Sequence, residues 1–284
     1  MAIKYIFSIC VFFALAQSPL MAQNPSTQNQ KSMETSRTQR AAVKYKELFA
    51  QDITASKTDP ELMTILQSVI FGEVFYIGNL NDKTRELITI TALTTNQTLP
   101  QLIPHTNAAL NVGVTPIEIR EVIYQCAPFI GFPKVLNAME VVNKVFEQKG
   151  IKVPLEMQGT VTEASRHEKG VEQQVPLYGD KMKQNMQDLP AGLGNELADL
   201  LTESCFGDFY IRNGLDLKTR ELMVFCALAT LGGTEKQMAS HAAGNMKAGN
   251  NKETLISAMV QLYPYVGFPR AANAIYTIRE VKEQ

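Results

Sequence analysis

From about residue 36 onward, apolar side chains recur at spacings of three and four and never alternate with period two. Leu102, Ile103, Thr106, Ala109 and Leu110 lie on one stripe of a helix, and Leu87, Ile88 and Leu93 belong to a similar run. The boundaries carry helix signals. Thr115-Pro116-x-Glu118 has the form of a capping box with Pro at the first helical position, and Thr98-x-x-Gln101 and Thr234-x-x-Gln237 have the same spacing. Gly113 and Gly249 stand where a helix ends on a residue free to take positive φ. The pattern predicts an all-α protein.

The chain also repeats itself. Phe71-Gly72-Glu73 returns as Phe206-Gly207-Asp208, and Lys83-Thr84-Arg85-Glu86-Leu87 as Lys218-Thr219-Arg220-Glu221-Leu222, both at an offset of 135. His105 then matches His241, Gly113 matches Gly249, and Gly131-Phe132-Pro133 matches Gly267-Phe268-Pro269 at an offset of 136. Ser36-Arg37 has an echo in Ser165-Arg166. So long a period means two duplicated domains and not a solenoid. Residues 36–150 and 165–284 are expected to be the two copies, each of five or six short helices, with 151–164 as connector.

Composition narrows the function classes. With 27 Lys+Arg against 28 Asp+Glu there is no basic surface for nucleic acid. Beyond the N-terminus no apolar stretch is long enough to span a bilayer. Lys4, the apolar run Ile6 to Ala16 and Leu20-Met21-Ala22 read as a signal peptide over residues 1–22, followed by a polar lead-in over 23–35. An uncleaved anchor is the alternative. Export to a periplasmic or extracellular space is the expectation. Cys126, Cys205 and Cys226 would remain, an odd set without C-x-x-C spacing. They read as small buried hydrophobes, with a Cys205–Cys226 pair as the alternative.

Two of the three histidines recur between copies. His105 follows Leu102 by three residues, so it borders the apolar stripe and faces the interior or a cleft. A satisfied core histidine and a general acid/base both fit this placement. Glu86 and Glu221, each preceded by Arg85 or Arg220, open the preceding helix. They could simply favour the helix dipole and form surface pairs. Alternatively the carboxylate orients the imidazole while Arg binds an anionic substrate. One recurrent His per copy falls short of a metal ligand set, so no metal is expected.

Lys-Thr-Arg-Glu-Leu, then His, Gly and Gly-Phe-Pro in both copies resemble the carboxymuconolactone decarboxylase family, which includes the AhpD-like peroxidases. The segment Arg166-His167-Glu168-Lys169-Gly170 with Leu177-Tyr178-Gly179-Asp180 is similar to the lead-in of the decarboxylases. The resemblance implies two tandem AhpD-like helical domains and a homo-oligomer, with a trimer favoured. The peroxidase branch would need cysteines where Thr98, Gln101, Thr234 and Gln237 stand, so dithiol chemistry is disfavoured. The decarboxylase branch implies loss of CO₂ from a small carboxylated lactone or related acid, with no cofactor. His105 and His241 would be proton donors, Glu86 and Glu221 their orienters, and Arg85 and Arg220 contacts to the substrate carboxylate. Asn107 and Ala243 stand where those decarboxylases tend to carry a basic residue. A non-catalytic ligand-binding or scaffold protein on the same fold is the alternative.

Overall fold

The computed structural model describes residues 36–282, so the segment read as signal peptide and lead-in lies outside the described residues. The first half holds α1 (Arg37–Phe49), α2 (Pro60–Gly72), α3 (Asp82–Asn96), α4 (Leu99–Asn111), α5 (Pro116–Gln125), α6 (Ala127–Ile130) and α7 (Phe132–Gln148). The second holds α8 (Arg166–Tyr178), α9 (Lys181–Asn185), α10 (Leu193–Leu200), α11 (Leu217–Leu231), α12 (Glu235–Lys247), α13 (Lys252–Val266) and α14 (Phe268–Glu280). No strand occurs among the described residues. Each half therefore has more pieces than the five or six expected, because short turns such as α6 and α9 count separately. The second half runs through Pro264 as the single helix α13, whereas the first breaks at Cys126 into α5 and α6.

Helix ends are set by local chemistry, though not always as the spacing predicts. Thr115 accepts from Glu118 N–H at 3.1 Å while Glu118 accepts from Thr115 N–H at 2.6 Å, a complete capping box. The boxes expected at Thr98 and Thr234 do not form. Their hydroxyls turn back to the end of the preceding helix, donating to Leu93 O at 3.5 Å and Leu228 O at 2.8 Å. A carbonyl at the close of α3 or α11, which already accepts a backbone N–H, takes the same hydroxyl as a second donor. Gly113 and Gly249 do end α4 and α12 with φ of 85° and 94°.

The two halves share one core. Leu87, Ile88, Ile90, Ile123 and Phe146 of the first cluster with Met223, Phe225, Leu255, Met259 and Ile278 of the second. The centre is α3 packed on α11, with α13 against α3 and α5 against α11 in return. From Arg85 to Thr95 and from Arg220 to Thr230 every residue of these two helices is buried. Polar side chains survive there because several satisfy themselves within their own helix. Thr89, Thr91 and Thr95 donate to the carbonyls four residues earlier at 2.8–3.0 Å. The connector is tied down where Arg120 donates to Glu156 O at 2.7 Å and Asn213 N–H donates to Gln158 O at 2.9 Å.

Candidate functional site

The recurrent Arg-Glu pair splits between two tasks. Arg85, 1% exposed, donates to the backbone oxygens of Val74, Ile77 and Leu80 at 2.8–3.1 Å. It also donates to Gln261 Oε1 of the second half at 3.0 Å. Arg220, 0% exposed, donates to Arg212 O, Asn213 O and, across the seam, Gln125 Oε1 at 3.0 Å. Gln125 and Gln261 are themselves equivalent positions. Each arginine thus fastens the loop before its helix and clasps the opposite half. The substrate contact expected of Arg85 and Arg220 gives way to this structural one, because neither guanidinium reaches the surface.

The glutamates point the other way along the same helices. Glu86 Oε2 lies 2.8 Å from His105 Nδ1, and Glu221 Oε2 lies 3.2 Å from His241 Nδ1. Both carboxylates are fully buried, while the imidazoles keep 9% and 13% of their side chains exposed. The exposed sliver decides which atom can work. A carboxylate at Nδ1 fixes that nitrogen as the N–H, and leaves Nε2 as the ring's only free nitrogen. The α3 and α4 stripes, carried by Glu86 and by Leu102, His105, Thr106 and Ala109, bring the pair together.

Each imidazole is boxed by two aromatic rings, one from its own half and one from the other. His105 meets Phe49 of α1 at 5.8 Å between centroids and Tyr265 of α13 at 5.7 Å. His241 meets Tyr178 of α8 at 5.1 Å and Phe129 of α6 at 5.4 Å. Phe49 and Tyr178 are equivalent positions, as are Phe129 and Tyr265, so the hydroxyl sits on the near ring in one site and the far ring in the other. Sequence reading missed all four. The Ser36-Arg37 echo of Ser165-Arg166 was the available signal, because its offset carries Phe49 onto Tyr178.

The hydroxyls behave differently. The Tyr178 hydroxyl donates to the Glu221 carboxylate, 2.7 Å from each oxygen, and its oxygen lies 2.7 Å from His241 Nδ1. Burial, and then the Glu221 charge, raise the pKa of this phenol far above the ordinary range, so it stays protonated. The Tyr265 hydroxyl is buried without a partner, as is Glu86 Oε1. Burial and the Glu86 charge likewise keep Tyr265 protonated. Space follows the same division: a Cβ on Gly244 would stand 2.5 Å from the Tyr178 hydroxyl, and the first half has Ala108 where the second has Gly244. Phe49 has no hydroxyl to collide with.

Other candidates lie elsewhere. Cys126, Cys205 and Cys226 are free and buried, and burial pushes the Cys126 thiol up to about 12. His167 is exposed and pairs with Glu203 at 3.2 Å. A cleft opens between the starts of α3 and α11, lined by Lys83, Thr84, Glu118, Asp216 and Thr219, but it includes neither imidazole. Among the described residues no cluster of three or more His, Cys, Asp or Glu is arranged to hold a metal, and no helix is long and apolar enough to cross a membrane.

A buried Glu–His pair is thus repeated on two fused all-α halves. Residues 60–144 and 195–279 each match the carboxymuconolactone decarboxylase family, and the chain belongs to it. It is 35% identical over 95 residues to an uncharacterized 15.0 kDa protein of Paracoccus denitrificans, covering 33% of this chain and 71% of that protein. It is 32% identical over 91 residues to the 4-carboxymuconolactone decarboxylase of Acinetobacter baylyi, covering 32% and 68%. A nitrosuccinic acid decarboxylase of Metarhizium robertsii is 35% identical over 74 residues, covering 26% and 52%.

Proposed function

We propose that this protein is an exported, cofactor-free decarboxylase of a small carboxylated lactone or related acid, with a histidine as proton donor. The observation that carries the reading is the buried carboxylate on Nδ1 of each recurrent imidazole, at 2.8 and 3.2 Å. It is supported by two relatives named as decarboxylases, of 4-carboxymuconolactone and of nitrosuccinic acid.

The chemistry needs little more. The bond between the substrate carboxylate and its ring carbon breaks, CO₂ leaves, and the electron pair moves to the adjacent carbonyl as an enolate. An imidazolium held at Nδ1 by Glu86 gives its Nε2 proton to that carbon, and a proton from water restores the ring. Holding the imidazole by a buried carboxylate fixes its direction. Thiol chemistry is disfavoured because all three described cysteines are buried and held as thiols.

Export and self-association belong to the same proposal. Residues 1–22 carry the export reading. Exposed Phe132 and Leu136 on α7, with Phe268 and Tyr276 on α14, present apolar surface suited to further copies of the chain, as a trimer. The test of the activity is CO₂ release on mixing the purified protein with 4-carboxymuconolactone and, separately, with nitrosuccinate. Release well above the spontaneous rate is expected from at least one, and no release from either would contradict the substrate class.

A further inference from the structure

The two Glu–His pairs look alike in sequence, yet their hydrogen-bonding capacity differs. In the second site the polar groups at the imidazole are paired with one another, although the Tyr210 hydroxyl beside Glu221 is buried without a partner. Both Glu221 oxygens face the Tyr178 hydroxyl, whose oxygen in turn lies on His241 Nδ1. This forms an imidazole–phenol–carboxylate chain in parallel with the longer direct contact of 3.2 Å. The far ring is Phe129, which has no polar atom to offer. In the first site the near ring is Phe49, and the imidazole meets its carboxylate directly at 2.8 Å. Two buried polar atoms then have no partner: Glu86 Oε1, which can accept, and the Tyr265 hydroxyl, which can donate. Both belong to the surroundings of one imidazole, and Tyr265 reaches it from the other half of the chain.

We propose that the first site is the one that takes substrate. Tyr265 is then its second catalytic residue, donating a hydrogen bond to the substrate oxygen on which enolate charge develops, and Tyr178 is a positioning residue that closes the second site to the same chemistry. A phenol held protonated by burial is suited to such a donation, because it strengthens as the oxygen gains charge and needs no proton transfer. Tyr178 can offer its hydroxyl to a ligand only by abandoning Glu221. Gly244 records the commitment: it leaves room for that hydroxyl, where Ala108 fills the equivalent space beside Phe49. The duplication thus leaves the first imidazole with an unpartnered hydroxyl on a ring against it, and the second with that hydroxyl committed to its carboxylate. This rests on the decarboxylase reading for the substrate's chemistry, but the inequivalence of the sites does not.

Proton and carbon NMR of the intact protein separates the two. The histidine ring signals are assigned with H105Q, H167Q and H241Q, and the Nδ1 protons are compared without ligand. Distinct environments are expected at His105 and His241, with the Y178F variant moving the His241 Nδ1 proton to the His105 position. The probe is 5-oxotetrahydrofuran-2-carboxylate, a carboxylated lactone with no site for decarboxylation to an enolate of its own carbonyl. It is expected to shift the His105 ring, and Y265F to weaken that binding about tenfold with unchanged melting, the loss of one hydrogen bond to a charged group. Matching Nδ1 environments in the wild type, or tighter probe binding at His241 than at His105, would overturn the proposal. Unaltered affinity in Y265F would remove Tyr265 from it. A probe that moves neither histidine, with the Nδ1 protons distinct, would overturn the substrate class and the role given to Tyr265 while the inequivalence stands.

Discussion

Tyr265 stands edge to face against His105, with ring centroids 5.7 Å apart, although the two residues belong to opposite copies of the repeat. Its counterpart Phe129 stands against His241 in the same way at 5.4 Å. Neither imidazole is enclosed by its own half alone. The duplication is therefore a working unit, each copy completing the other's site, and the residues that join the copies are as important as those that form the pairs.

The clasp across the seam is the first place to test this. Gln261→Leu would leave the Arg85 Nη1 it serves with one acceptor fewer in a dry interior, and Gln125→Leu would do the same to Arg220. Each is expected to destabilise the whole chain by ~1.5–3 kcal/mol in urea unfolding, the range for a hydrogen bond to a charged group. The transition should stay a single one, because the core is shared. Two separate transitions in wild-type protein would show that the halves fold independently.

A second prediction concerns packing at Gly244. Alanine there gains about 1 kcal/mol of helix propensity, but its methyl meets the Tyr178 hydroxyl at 2.5 Å and Glu221 Oε2 at 3.1 Å. Overpacking of this kind costs about 1–3 kcal/mol. G244A is expected to be neutral to destabilising in the natural background and less destabilising in Y178F, where the hydroxyl is gone but the ring carbon that carried it still stands 2.9 Å from the methyl. The double-mutant cycle should give a coupling of about 1 kcal/mol or more. Additive effects would mean that Tyr178 is not held where the structure shows it.

Much of this was readable beforehand. The three-four periodicity and the offset of 135 to 136 gave the all-α class and the duplication, because a helix repeats its apolar face and a repeat conserves it. Glu86 with His105 and Glu221 with His241 could be singled out by recurrence. The direction of Arg85 and Arg220 could not, because a charge next to a glutamate on a helix points about 100° away from it, and most of its partners are backbone carbonyls that leave no trace in composition. Thr98 and Thr234 have capping spacing, yet the carbonyl at the end of the preceding helix won their hydroxyls. The aromatic boxes were hidden for another reason: the offset between copies is 129 at Phe49 and Tyr178 but 136 at Phe129 and Tyr265, so no single alignment shows both.

Buried thiols give the protein an alkaline limit. Cys126 is held up to about 12 from an ordinary 9.0 by burial, so the unfolded chain loses this proton near pH 9 while the folded chain keeps it. Above that point the unfolded state binds fewer protons and stability falls as pH rises, by about 1.4 kcal/mol per pH unit for each such thiol, until the folded value is reached. Melting temperatures measured between pH 8 and 10.5 should drop beyond about pH 9, and Cys126→Ala should flatten the slope. A profile unchanged by that substitution would mean the thiol is not sealed.

The most direct measurement is the turnover number of His105→Gln for CO₂ release from the carboxylated lactone, with wild-type protein and His241→Gln alongside and melting curves to confirm folding. Gln can replace the hydrogen bond to Glu86 but cannot deliver a proton, so a loss of about 100-fold or more is expected at His105, and a much smaller one at His241. Turnover of His105→Gln within twofold of wild type would contradict proton delivery by that imidazole.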